Sequence, residues 1–212
     1  DSRIPSKGKV VGFLGDSITS QYMWQPTVLA LKQMTQGVNS GVGSSTIVPS
    51  VTTTPGRLSG DSIYMRADLM KNYQLDAIIL MGGQNDGAYT LNTTYDLSEP
   101  AYTGPELPLG DPGMPSFVAA YKGTLLKLVS QNPLARVYAC GVLYNYNGPF
   151  DYTHLTWYKN CRDAMKAMCD MYAVTFIDTM VGSNMNPWNN DTFSPAVHPT
   201  PAGGVRLGEY IA

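Results

Sequence analysis

Four short apolar runs punctuate the chain, each closed by glycine or polar residues. Val10–Leu14 leads straight into Gly15-Asp16-Ser17, and Asp76–Met81 into Gly82-Gly83-Gln84-Asn85-Asp86; Arg136–Leu143 and Val174–Ile177 complete the set. Unbroken runs of this length are what strands buried on both faces look like, as in a parallel sheet. A short fifth strand is expected at the start of Gly37–Thr46, which by its glycines and serines otherwise reads as loop. Helical segments fall between the strands. Gln21–Met34 carries Pro26 near its start and Val28, Leu29, Leu31 and Met34 on an apolar face. Residues 61–72 are weakly helical. In 115–131, Phe117, Tyr121, Leu125, Leu128 and Val129 recur at helical spacing. Leu155–Ala173 reads as helix, as does Pro201–Ile211, with Thr200 as its cap and Pro201 at its first position.

The remainder reads as connection: residues 1–8, the Thr/Ser/Pro-rich 47–60, Asn145–Thr153 and the polar 179–199. Residues 87–114, with four prolines, form an excursion longer than ordinary loops, suited to shaping a substrate site. Strand and helix alternate throughout, which predicts an α/β domain with a parallel sheet covered on both faces. No repeat or boundary divides residues 1–212, so one domain is expected.

Composition narrows the partners. With 212 residues, 43% hydrophobic and 14% charged, the chain can bury roughly 70% of its unfolded surface. A net charge of −2 and a pI near 5.6 supply no basic field for nucleic acid. No apolar stretch reaches the length of a membrane span. The first residue is Asp1, so a removed leader is one expectation, and with it a secreted or periplasmic setting. Three cysteines do not make a disulfide framework. Cys161 and Cys169, eight residues apart on one helix, are separated by about 12 Å, too far for a bridge, so all three cysteines are expected as core thiols. Asn92-Thr93-Thr94 and Asn190-Asp191-Thr192 fit the glycosylation triplet, a pattern common by chance.

In a parallel sheet the loops that follow the strands share one edge, where ligands bind. Ser17, Gly43-Ser44, Asn85 and His198 all fall in such loops. Together they supply a hydroxyl, backbone N–H groups in a glycine-rich bend, a side-chain amide and an imidazole, the inventory for acyl transfer. The chain has two histidines. His154, beside Asp151 and Tyr152, reads as a surface or capping residue. His198, stiffened by Pro195 and Pro199, is the better base. Two separated histidines without close acidic partners make a poor zinc site, and no cofactor is called for.

Gly15-Asp16-Ser17-Ile18-Thr19, Gly82-Gly83-Gln84-Asn85-Asp86 and His198-Pro199-Thr200-Pro201-Ala202-Gly203 resemble the first, third and last blocks of the SGNH/GDSL hydrolase family of esterases and lipases. Asn39–Thr46 resembles the second block less closely. The resemblance implies a flavodoxin-like three-layer α/β/α sandwich with five parallel strands in the order 2-1-3-4-5. It implies Ser17 as nucleophile and His198 as base. An oxyanion hole would come from the N–H of Ser17, that of the second block at Gly43 or Ser44, and the Asn85 amide. Asp16 and Asp86 would brace loops. The Gly-x-Ser-x-Gly elbow of α/β-hydrolases is absent.

Two positions depart from the family pattern. Ser44 stands where the second-block glycine aligns, so the bend there differs if Ser44 must adopt a backbone that favours glycine. Pro195 stands three residues before His198, where the family has Asp. Asp191, seven residues before His198, is the nearest acid upstream. Either Asp191 folds back to the ring, or a backbone carbonyl holds the imidazole in a dyad, or the enzyme is impaired.

The loops carry Tyr89, Tyr95, Tyr102, Tyr144, Tyr146, Trp188 and Asn189. Rings set among amides and hydroxyls suit a sugar, so removal of short acyl groups, acetyl above all, from an oligosaccharide is the leading expectation. A short-chain lipid esterase, a lysophospholipase or a thioesterase is the enzymatic alternative. A catalytically silent carbohydrate-binding module on the same fold is the non-enzymatic one.

Overall fold

The computed structural model describes residues 7–51, 61–86, 95–108, 111–143, 152–185 and 198–212. The strands are β1 (Val10–Gly15), β2 (Thr35–Gly41), β3 (Ser50–Val51), β4 (Ala77–Met81), β5 (Leu107–Pro108), β6 (Arg136–Cys140) and β7 (Thr175–Ile177). Five of them form a parallel sheet in the order β2-β1-β4-β6-β7. β3 and β5 pair with each other outside it. Counting only the five, the order is second, first, third, fourth, fifth, as the resemblance implies.

Alternation within the buried strands divides the interior in two. Val11 and Phe13 of β1 join Ala77, Ile79 and Met81 of β4 on one face. Leu14, Ile78 and Leu80 face the other way. Helices α2 (Gln25–Lys32) and α7 (Pro201–Ile211) cover the first face, through Trp24, Val28, Leu207 and Ile211. The Trp24 ring packs edge-on against Phe13 at 5.2 Å. The second face is covered by α3 (Ile63–Arg66) with the 3₁₀ turn Ala67–Asn72, by α4 (Phe117–Gln131) and by α5 (Tyr152–Met171). All three cysteines are buried and free.

Three features differ from the sequence reading. β2 spans seven residues, Thr-Gln-Gly-Val-Asn-Ser-Gly, where only a short strand is expected. It is an edge strand, half exposed, so it needs little apolar character, and its register slips past Gly37 in a bulge opposite Val11 and Gly12. Two four-residue helices, α1 (Ser17–Ser20) and α6 (Thr179–Gly182), are too short to show a period; Asp16 and Asp178 cap them. The described part of the 87–114 excursion lies against α4. Buried Lys122 donates to the carbonyls of Leu97 (2.6 Å) and Glu99 (2.7 Å).

The register fixes where the site lies. Gly15 is level with Gly41 on one side and Met81 on the other; Met81 is level with Cys140, and Cys140 with Ile177. All five strands therefore end at one edge, and the segments carrying Ser17, Ser44 and Asn85 leave from it together.

Candidate active site

The turn that carries Ser17 is built by close packing. A Cβ on Gly15 would lie 2.1 Å from the Met81 carbonyl oxygen and 2.2 Å from Thr19 Oγ1. The glycine is thus required by proximity, not by an unusual φ, since Gly15 is not among the residues with positive φ. Asp16 follows as the cap of α1, its carboxylate accepting the Ile18 N–H at 2.9 Å. Burial, reinforced by the nearby Asp86 and opposed by the Ile18 bond and Arg66, pushes the Asp16 carboxyl up to about 7. Ser17 is then the first residue of α1, and half-buried.

His198 Nε2 lies 2.9 Å from Ser17 Oγ, joining positions 181 residues apart. The ring precedes α7, whose start is fixed by Pro201 and by Thr200, which accepts the Gly203 N–H at 3.1 Å. Gly204 and Gly208 let α7 press on Met23 and Trp24, just beyond α1; a Cβ at either would come within 2.6 Å of those residues. The helix that follows His198 thus packs directly on the segment that follows the helix bearing Ser17. Burial holds the His198 pKa below its usual value, favouring the neutral ring that can accept a proton.

Val42–Ser45 forms a turn closed by Ser45 N–H to the Val42 carbonyl at 3.4 Å. Ser44 occupies its third position with φ of 60°, the left-handed backbone that the family's glycine would adopt more readily. The departure at Ser44 is thus a glycine-like backbone carried by a serine. Gly43 and Ser44 are exposed at the rim. Asn85 Nδ2 donates to the Ser45 carbonyl at 2.9 Å, and a primary amide has a second N–H to offer. Asp86, fully buried, accepts the N–H groups of Ile47 (2.9 Å) and Val48 (3.0 Å) and so ties the second-block segment to the end of β4. Both aspartates brace backbone, as the resemblance implies.

Ser17, His198, the Gly43-Ser44 turn and Asn85 therefore gather at one sheet edge. Asp191 and Pro195 lie outside the described residues, as do Tyr89, Tyr144, Tyr146, Trp188, Asn189 and both glycosylation triplets. His154 falls within α5. The two described loop tyrosines are used internally: Tyr95 packs on Phe117 at 6.1 Å, and Tyr102 tilts against Tyr64 at 5.4 Å, its hydroxyl on the Pro105 carbonyl. Both rings are half-buried and engaged in these packing contacts. Sequence reasoning missed Arg66, a buried cation behind the site. It lies on a weakly patterned helix and its partners include backbone carbonyls, which leave no trace in a sequence.

A serine hydroxyl in hydrogen-bond reach of an imidazole, at the carboxyl edge of a parallel α/β sheet, defines a class of hydrolytic enzyme. The model of the GDSL-like lipase/acylhydrolase family matches residues 13–204, and the chain belongs to that family. It is thus a hydrolase of the SGNH type, and the membership supports hydrolysis of carboxylic esters. Similar solved structures include a protein from Lactobacillus plantarum (20% identity, TM-score 0.69, covering 99% of this chain and 96% of that one). A GDSL-like lipase from Bacteroides thetaiotaomicron is similar at 15% identity and TM-score 0.64, covering 96% and 85% of the two chains. For a lipase/acylhydrolase from Enterococcus faecalis the values are 15%, 0.60, 96% and 93%. At these identities the likeness is one of fold. No curated protein matches the chain. Among the described residues, no helix is long and apolar enough to cross a membrane.

Proposed function

We propose that this protein removes short acyl groups, acetyl in particular, from carbohydrate esters through an acyl-enzyme on Ser17. The observation that carries the reading is the 2.9 Å contact between His198 Nε2 and Ser17 Oγ. Ser17 Oγ attacks the ester carbonyl as its proton passes to Nε2. The N–H of Ser17, that of Gly43 or Ser44 and the Asn85 amide receive the developing oxyanion. The ester C–O bond then breaks, and the alcohol leaves with the proton from His198. Water repeats the sequence on the acyl-enzyme, giving up a proton to His198 and releasing the carboxylic acid and free Ser17. Asp191 is the acid assigned to orient the imidazole.

A small polar substrate is supported by the described rim beside Ser17. Ser20, Gln21, Gly43 and Ser44 are exposed there, offering hydroxyl, amide and backbone groups. Trp188 and Asn189, from a polar loop near His198 in the chain, are the sequence's argument for a sugar as the alcohol. The test compares acetate release from acetylated oligosaccharides with turnover of a long-chain ester. Acetate release with little long-chain turnover is expected. Clear preference for the long chain would assign the site to a lipid ester instead.

A further inference from the structure

Arg66 sits at the end of α3 with only 5% of its surface exposed, and the scheme above gives it no part. Its guanidinium reaches four places along the chain at once. Nη2 donates to the Gly15 carbonyl at 2.9 Å and to Ser45 Oγ at 2.7 Å. Nη1 donates to the Ser40 carbonyl and lies 3.3 Å from Ser40 Oγ. Nε donates to the Asp61 carbonyl at 3.0 Å.

Each of the first three segments leads to an expected oxyanion donor. Gly15 is two residues before Ser17, and its carbonyl also accepts the Val42 N–H at 3.1 Å. Ser40 ends the approach to the Val42–Ser45 turn. Ser45 closes that turn, with its hydroxyl on the Val42 carbonyl at 2.9 Å, and its own carbonyl receives the Asn85 amide. A planar fork with donors at fixed angles can set three backbone segments against one another, as a lysine's single ammonium cannot.

We propose that Arg66 is a positioning residue for the oxyanion hole, fixing the turns that present the Ser17, Gly43/Ser44 and Asn85 donors. This inference rests on the esterase reading. Donors that engage only developing charge must be placed within a fraction of an ångström, and a misplacement of about 1 Å costs on the order of 10²-fold. The loss should fall on kcat, because the ground-state carbonyl makes little use of the hole.

The experiment measures kcat, KM and melting temperature for wild type, Arg66→Lys and Ser45→Ala on a p-nitrophenyl acetate substrate, with active sites counted by titration. Arg66→Lys keeps the charge and loses the fork. Its kcat per active site should fall on the order of 10²-fold, with KM within about threefold of wild type. Ser45→Ala removes one link and should lose roughly tenfold in kcat, again with KM held. Either variant retaining wild-type kcat while folded overturns the inference, as does a loss expressed in KM. A lower melting temperature with normal kcat per active site means a structural role alone and also overturns it. If Arg66→Lys does not fold, the Ser45→Ala result decides. Wild type with no Ser17-dependent turnover would overturn the esterase reading itself, and the positioning role with it, an outcome distinct from any change in the variants.

Discussion

At the scale of single residues, the proposed chemistry turns on one proton. His198 must be neutral to take it from Ser17 Oγ, and burial lowers the His198 pKa. An acid on the far ring nitrogen acts the other way, favouring the imidazolium. In Asp191→Asn only the burial remains, so the acidic limb of kcat/KM should move to lower pH. The sign for stability follows from the same shift. The unfolded chain takes up the imidazole proton first as pH falls below about 6.5, so this group's contribution makes the fold less stable there. A true triad should also lose roughly 10³–10⁴ in kcat in this variant. A loss under about tenfold, less than ~1.4 kcal/mol, with an unmoved limb would show that Ser17 and His198 act as a dyad. Asn85→Ala should lower kcat by roughly 10²–10³, about 3–4 kcal/mol, with KM little changed; steady-state kinetics on a small ester checks both values, and a raised KM with normal kcat would place Asn85 in ground-state binding.

Among the elements, the site is held by the ends of strands and short caps, and these are where the sequence was least readable. The buried strands β1, β4 and β6 announce themselves as apolar runs, and α7 by its Thr200-Pro201 start. β2 does not, because an edge strand half open to water needs no continuous apolar run. α1 does not, because four residues cannot display a helical period; its only mark is Asp16, a cap that reads equally well as part of a turn. The structure also supplies the reason for Gly15. A methyl there meets the immovable Met81 carbonyl oxygen at 2.1 Å. Gly15→Ala should therefore destabilise the fold by about 3 kcal/mol, at the upper end of overpacking costs, and disturb the turn that carries Ser17. Chemical denaturation of the variant measures this; a change below about 1 kcal/mol would mean that β1 and β4 can part without cost.

For the whole molecule, the legible part of the sequence was its order. Apolar runs alternating with helical segments give the parallel sheet, and the sheet places every segment that follows a strand on one edge. Ser17 and His198, 181 residues apart, are already paired by the sequence because both fall in loops at that edge. Long-range polar support left no comparable sign. Arg66 gripping the Gly15 and Ser40 carbonyls, and Lys122 gripping those of Leu97 and Glu99, depend on backbone acceptors that every sequence possesses. The packing of Tyr95 and Tyr102 is equally hidden in the sequence, since a ring's surroundings decide whether it packs or is displayed.

The proposed reaction requires that Ser17, activated by His198, is the nucleophile. Its most direct measurement is covalent labelling by a fluorophosphonate, with the modified residue located by mass spectrometry. A single adduct on Ser17 is expected in the wild type, none in Ser17→Ala, and labelling slowed by several orders of magnitude in His198→Ala. An unlabelled wild type that still binds glycans, or an adduct on any other residue, would contradict it.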